Sequence, residues 1–131
     1  MKKHILLVDD DADELKIFSD ALEEIPGAYQ CTYASTAAQG LEMLQWIHPN
    51  YIFIDYNLPV MNGLDMLAEI RADRRLDNVP VFLYSTTISP DTQLTAQHLR
   101  ATGCIEKPSS VGMMRAVLFK VLVTGNVGVA I

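Results

Sequence analysis

The chain has 131 residues, half of them apolar and a fifth charged, with a net charge of −6 and a pI of about 4.8. That length suits one domain with a real core, and the composition is globular rather than disordered. The acidic balance argues against non-specific nucleic-acid binding and against an anionic membrane surface, both of which select basic faces.

The opening Met1-Lys2-Lys3-His4 leads into only four apolar residues. That run is too short for a signal-peptide core or a membrane span. Cys31 and Cys104 have no metal-ligand spacing. They are expected to be reduced thiols, and the protein is expected to be cytoplasmic.

Strand and helix patterns alternate along the chain. The run Ile5-Leu6-Leu7-Val8 predicts a strand over 4–8. Leu15, Phe18, Leu22 and Ile25 then recur at helical spacing, which predicts a helix over 13–25 that stops before Pro26-Gly27. A second strand is expected over 30–34. Ser35 or Thr36 caps the next helix, whose Leu41, Leu44 and Ile47 face inward until His48-Pro49. The third strand is 51–55, followed by a loop over 56–63 with turn chemistry at Asn62-Gly63. A helix over 64–74 buries Leu67 and Ile70. The fourth strand is 81–84. Ser89-Pro90 starts a helix that runs to 101, because proline suits the first helical position. A short fifth strand, 104–106, precedes a helix from Ser109 or Ser110 that carries Met114, Val117, Leu118, Val121 and Leu122. Trp46 and the methionines are read as packing residues. His4, His48 and His98 are read as structural or solvent-exposed.

Five strand–helix units imply a parallel sheet with helices on both faces and right-handed crossovers. The domain is expected over 1–124, with a short apolar tail over 125–131. Each strand but the second ends on polar residues: Asp9-Asp10-Asp11, Asp55, Ser85-Thr86-Thr87 and Lys107-Pro108. In an open α/β sheet that edge is where ligands bind. Clustered carboxylates repel one another and raise each other's pKa unless a cation sits among them. Oxygen ligands, a lysine and a hydroxyl suit Mg²⁺ and a phosphoryl group. Read alone, the acidic run is equally a solvated helix entry, and Asp11 is read as that.

With Asp9-Asp10, Asp55, Ser85 and Lys107-Pro108 each at a strand end and in this order, the chain resembles the response-regulator receiver domain of two-component signalling over nearly its whole length. The segment 55–63, Asp-Tyr-Asn-Leu-Pro-Val-Met-Asn-Gly, is similar to the loop that follows that family's phosphoacceptor. The resemblance implies a doubly wound α/β fold with strand order 2-1-3-4-5. It implies that Asp55 accepts a phosphoryl group from a histidine kinase or a histidine phosphotransfer protein. A divalent cation, Mg²⁺, would neutralise the charge between the two anions. Asp10, Asp55 and the backbone carbonyl of Asn57 would be its ligands, with Asp9 acting indirectly. Lys107 and Ser85 would each contact a phosphoryl oxygen. The resemblance also implies a cis Lys107-Pro108 bond and a downstream protein bound on the face made by the fourth helix, fifth strand and fifth helix.

This chain departs from the family pattern at two positions. Cys104 stands where many members carry an aromatic switch residue, so readout through a large ring is not expected. Ser85 stands where threonine is frequent, which keeps the hydroxyl and loses the methyl. A third departure is expected after the fifth helix, where an apolar tail and no effector follow, so the reading is a stand-alone receiver that signals through protein contact. The alternative is a magnesium-dependent phosphatase or phosphotransferase with a phospho-aspartate intermediate. Such enzymes usually carry a second acid two residues after the nucleophile, where this chain has Asn57.

Overall fold

A computed structural model of the chain describes residues 2–125. Five parallel strands, β1 (Lys3–Val8), β2 (Tyr29–Ala34), β3 (Tyr51–Asp55), β4 (Val81–Ser85) and β5 (Gly103–Glu106), form one sheet in the order β2-β1-β3-β4-β5. The helices are α1 (Ala12–Glu23), α2 (Ala37–Met43), α3 (Gly63–Ala72), α4 (Pro90–His98) and α5 (Val111–Leu118), the last running on into a wider turn at Phe119–Val123. This is the parallel sheet expected from the alternation of patterns, in the doubly wound strand order that the resemblance implies.

Side-chain alternation along the strands divides the core in two. Ile5, Leu7, Phe53, Phe82, Tyr84 and Ile105 face α1 and α5, where they meet Phe18, Leu22, Met114 and Leu118. Leu6, Val8, Ile52, Ile54, Leu83 and Cys104 face the other way, against Leu44, Met66, Leu67, Ile70 and Ala96 of the α2–α3–α4 side. The central strands are buried on both faces, which is why they read as unbroken apolar runs. Phe53 stacks on Phe82 at 5.2 Å between centroids, and Phe18 meets Phe53 edge-on.

Local signals set the helix starts. Asp11 caps α1 by accepting the N–H groups of Asp13 and Glu14. Thr36, Ser89 and Ser110 cap α2, α4 and α5 in the same way. Asn62 and Asp65 form a reciprocal capping box at α3, so Asn62-Gly63 is a helix entry rather than a plain turn. Gly63 is required for a different reason. A Cβ there would lie 2.5 Å from the backbone oxygen of Asp55, so any side chain would push α3 off the end of β3.

Three expectations change. Helix α2 ends at Met43, four residues before Ile47, and Trp46 beyond it is 75% exposed. Met113 is also largely exposed, while Met66 and Met114 pack in the core. No peptide bond among the described residues is cis, so Lys107-Pro108 is trans. The trans form is the lower-energy one for X–Pro, and Lys107 reaches the sheet edge from it. His4 is structural, its Nε2 lying 2.6 Å from Thr32 Oγ1, and His48 and His98 are exposed as expected. The apolar tail from 126 onward lies outside the described residues.

Candidate functional site

The C-terminal ends of β1, β3, β4 and the segment after β5 meet at one point, because β1, β3 and β4 are neighbours in the sheet. Asp9 follows β1 and is fully buried. Its backbone N–H donates to Ala34 O at 3.0 Å. Asp55 ends β3 and is 3% exposed. Ser85 ends β4 and is buried. Lys107 is tied to that strand by its backbone N–H, which donates to Ser85 O at 2.8 Å.

The Lys107 ammonium is the hub. Its Nζ lies 3.0 Å from Asp55 Oδ2, 3.3 Å from Asp9 Oδ2 and 2.5 Å from Glu14 Oε1. The Tyr84 ring sits beneath it, 4.7 Å from Nζ to the centroid. Tyr84 also donates its phenolic proton to Asp9 Oδ2 at 2.6 Å, while the other oxygen of Asp9 accepts the Asp11 N–H at 2.9 Å. Asp55 Oδ1 accepts the Asn57 N–H at 3.1 Å.

Charge and burial oppose each other here. Burial pushes the Asp55 carboxyl above its ordinary pKa, against the hydrogen bond and charge of Lys107 and the Asn57 N–H. Burial likewise raises Glu14 against its bond to Lys107. Burial alone would lower Lys107, but the hydrogen bond it donates to Glu14 and the charges of Asp9 and Asp55 outweigh it, so its pKa rises. The Tyr84 phenol is held protonated by burial and by the Asp9 charge.

Of the residues singled out in the sequence, Asp9, Asp55, Ser85 and Lys107 come together. Asp10 and Asn57 are exposed at the mouth. The three carboxylates that converge within 4.8 Å among the described residues are Asp9, Asp55 and Glu14. Glu14 and Tyr84 were not anticipated. An acid in the first helical turn reads as a partner of the helix dipole, and a tyrosine in an apolar run reads as core. Neither pattern carries a signal for the site.

The residue set fits a divalent cation and a phosphoryl group. The carboxylates supply hard oxygen donors of the kind Mg²⁺ takes. Ser85 Oγ is buried with no hydrogen-bond partner among the described residues. A buried hydroxyl without a partner is costly, and at this edge an incoming oxygen would satisfy it.

A family model described as the response regulator receiver domain matches residues 5–119. Chemotaxis protein CheY of Pseudomonas aeruginosa is 27% identical over 117 residues, which cover 89% of this chain and 94% of that protein. A two-component response regulator from Legionella pneumophila aligns in structure with a TM-score of 0.79 at 27% identity, covering 90% of this chain and 96% of that one. The phosphorylated cyanobacterial phytochrome response regulator RcpA shares the fold with a TM-score of 0.86 at 24% identity, over 95% and 96% of the two chains. Receiver domains bind Mg²⁺ at an acidic pocket and work in phospho-accepting signalling, which leaves the phosphatase alternative unfavoured. The fold, the acidic edge and the match over residues 5–119 place this chain in the response-regulator receiver family of two-component signalling.

Proposed function

We propose that Asp55 is the phosphoacceptor and that its partner is a phosphohistidine-bearing protein, either a histidine kinase or a phosphotransfer protein. The observation that carries this reading is the convergence of a buried carboxylate, a buried ammonium and an unpartnered buried hydroxyl at one strand edge. An Asp55 carboxylate oxygen attacks phosphorus. The P–N bond of the phosphohistidine breaks, and its electron pair returns to the imidazole nitrogen. Lys107 donates to a phosphoryl oxygen and Ser85 Oγ–H to another. Lys107 approaches as a point charge on a flexible stem, which suits a group that changes partners.

Asp55, Asp9, Asp10 and the Asn57 carbonyl would hold Mg²⁺. The cation, when bound, offsets the charge that builds between carboxylate and phosphoryl group. Asp9 is already held by Tyr84 and the Asp11 N–H, which supports an indirect role for it.

The output face is α4–β5–α5. Helix α4 has Ala96 as its buried residue, and exposes Leu94, while Met113 is exposed on α5. A helix so lightly anchored moves at little cost. The phosphoryl group favours the arrangement in which Ser85 and Lys107 both contact it, which shifts a two-state population.

The test is phosphate incorporation from acetyl phosphate in Mg²⁺. Wild type should gain one phosphoryl group by intact mass, and Asp55→Asn should gain none while keeping its circular dichroism spectrum. Undiminished incorporation in the variant would sink the assignment.

A further inference from the structure

Lys107 has three ammonium protons and three carboxylates around them, Glu14, Asp55 and Asp9, at 2.5, 3.0 and 3.3 Å. No proton is left over for a phosphoryl oxygen. One of these contacts must therefore give way before an incoming phosphoryl oxygen can take a proton from Lys107.

The three are not equivalent. Asp9 is fully buried and has two other donors, the Tyr84 hydroxyl and the Asp11 N–H. Asp55 is itself converted to the acyl phosphate. Glu14 makes the shortest contact, and its side chain is 30% exposed, the most open of the three. It sits in the first turn of α1, fixed by its own N–H to Asp11 Oδ1 at 3.2 Å. It alone can exchange Lys107 for water without leaving a carboxylate buried and bare.

Resting on the receiver reading above, we propose that Glu14 is a positioning residue: an internal anion that occupies Lys107 before phosphorylation and that the phosphoryl group must displace. Its carboxylate sets how readily Lys107 is surrendered. Replacing the charge with an amide weakens the hold, because a charge-assisted bond is roughly twice as strong as a neutral one. The freed ammonium then meets an incoming anion without a competitor.

The experiment is a beryllofluoride titration of the full chain at saturating Mg²⁺, read by NMR. Glu14→Gln should lower the half-saturating concentration by roughly three- to tenfold, in keeping with the loss of one competing charge. Glu14→Ala should move it the same way. Acetyl phosphate should label both variants faster than wild type. A gain in affinity is not what a damaged fold produces, so the readout separates positioning from structural loss. Glu69→Gln, on exposed α3 surface, makes the same change in net charge and should leave the titration unmoved. Unchanged or weaker binding by both Glu14 variants overturns the inference, as does an equal gain in Glu69→Gln. If wild type itself neither binds beryllofluoride nor accepts phosphate at Asp55, the receiver reading fails instead.

Discussion

Tyr84 and Asp9 are 75 residues apart in sequence and 2.6 Å apart in the fold, the phenol donating to the carboxylate. The bond joins the ends of β4 and β1 across β3, the strand that ends on Asp55. It gives a fully buried charge a donor that water cannot supply. The same ring carries the Lys107 ammonium on its face, so one side chain orients both an anion and a cation of the site.

Tyr84→Phe keeps the ring, and with it the edge contact to Phe18, but removes the donor. Asp9 is left with the Asp11 N–H and Lys107. The variant should lose about 1–3 kcal/mol, the cost of leaving a buried acceptor short of a partner. The midpoint of urea unfolding, at unchanged slope, measures it. A midpoint equal to wild type would show that the bond contributes nothing net.

Asp55 makes the metal-free fold depend on pH. Burial raises its pKa in the folded state, so the folded protein holds that proton more tightly than the unfolded chain. Its favourable contribution is complete only below the unfolded carboxylate pKa of about 3.9. It is lost as pH rises through the higher folded value. At neutral pH in EDTA, Asp55→Asn should therefore be more stable than wild type by roughly 1 kcal/mol. The advantage should shrink as pH falls toward 4, where wild type becomes protonated as well. Thermal melts at both pH values read this directly. A variant that melts lower at neutral pH would mean that the Lys107 ion pair outweighs desolvation.

Val60 adopts φ +68° in the loop after Asp55 and is fully exposed. A β-branched residue is strained in that region, and no packing offsets the cost. Val60→Asn tolerates the left-handed backbone and should stabilise the protein by about 0.5–1 kcal/mol. Chemical unfolding of the two proteins side by side decides it, and a loss of stability would count against the strain.

Ser85→Ala removes a hydroxyl that is buried without a partner among the described residues. The unphosphorylated protein should be as stable as wild type or slightly more so. Labelling at Asp55 should persist. What should vanish is the change in amide hydrogen exchange over residues 85–89 and the start of α4 on adding beryllofluoride. Equal exchange changes in the two proteins would remove Ser85 as the coupling group.

Much of this was legible in the chain itself. The helical spacings, the capping residues and the apolar runs are local, so they fix the alternation of five strands and five helices without any knowledge of contacts. The polar residues at strand ends followed from the same patterns, and Asp55, Asp9, Ser85 and Lys107 do meet. Only the tertiary structure decided what surrounds them. Glu14 carries no sign of the site in the sequence, and the packing of α1 against α5 sets it beside Lys107, 93 residues away. Tyr84 looked like core until the order β1-β3-β4 laid its hydroxyl on Asp9. The relative depth of Asp9 and Asp10 was hidden for the same reason. Adjacent residues at a strand end point to opposite sides, and which one is buried depends on what lies across the sheet edge. Pairwise distances between remote segments have no sequence period, so no local pattern reports them. They are fixed only when the sheet closes and its helices pack.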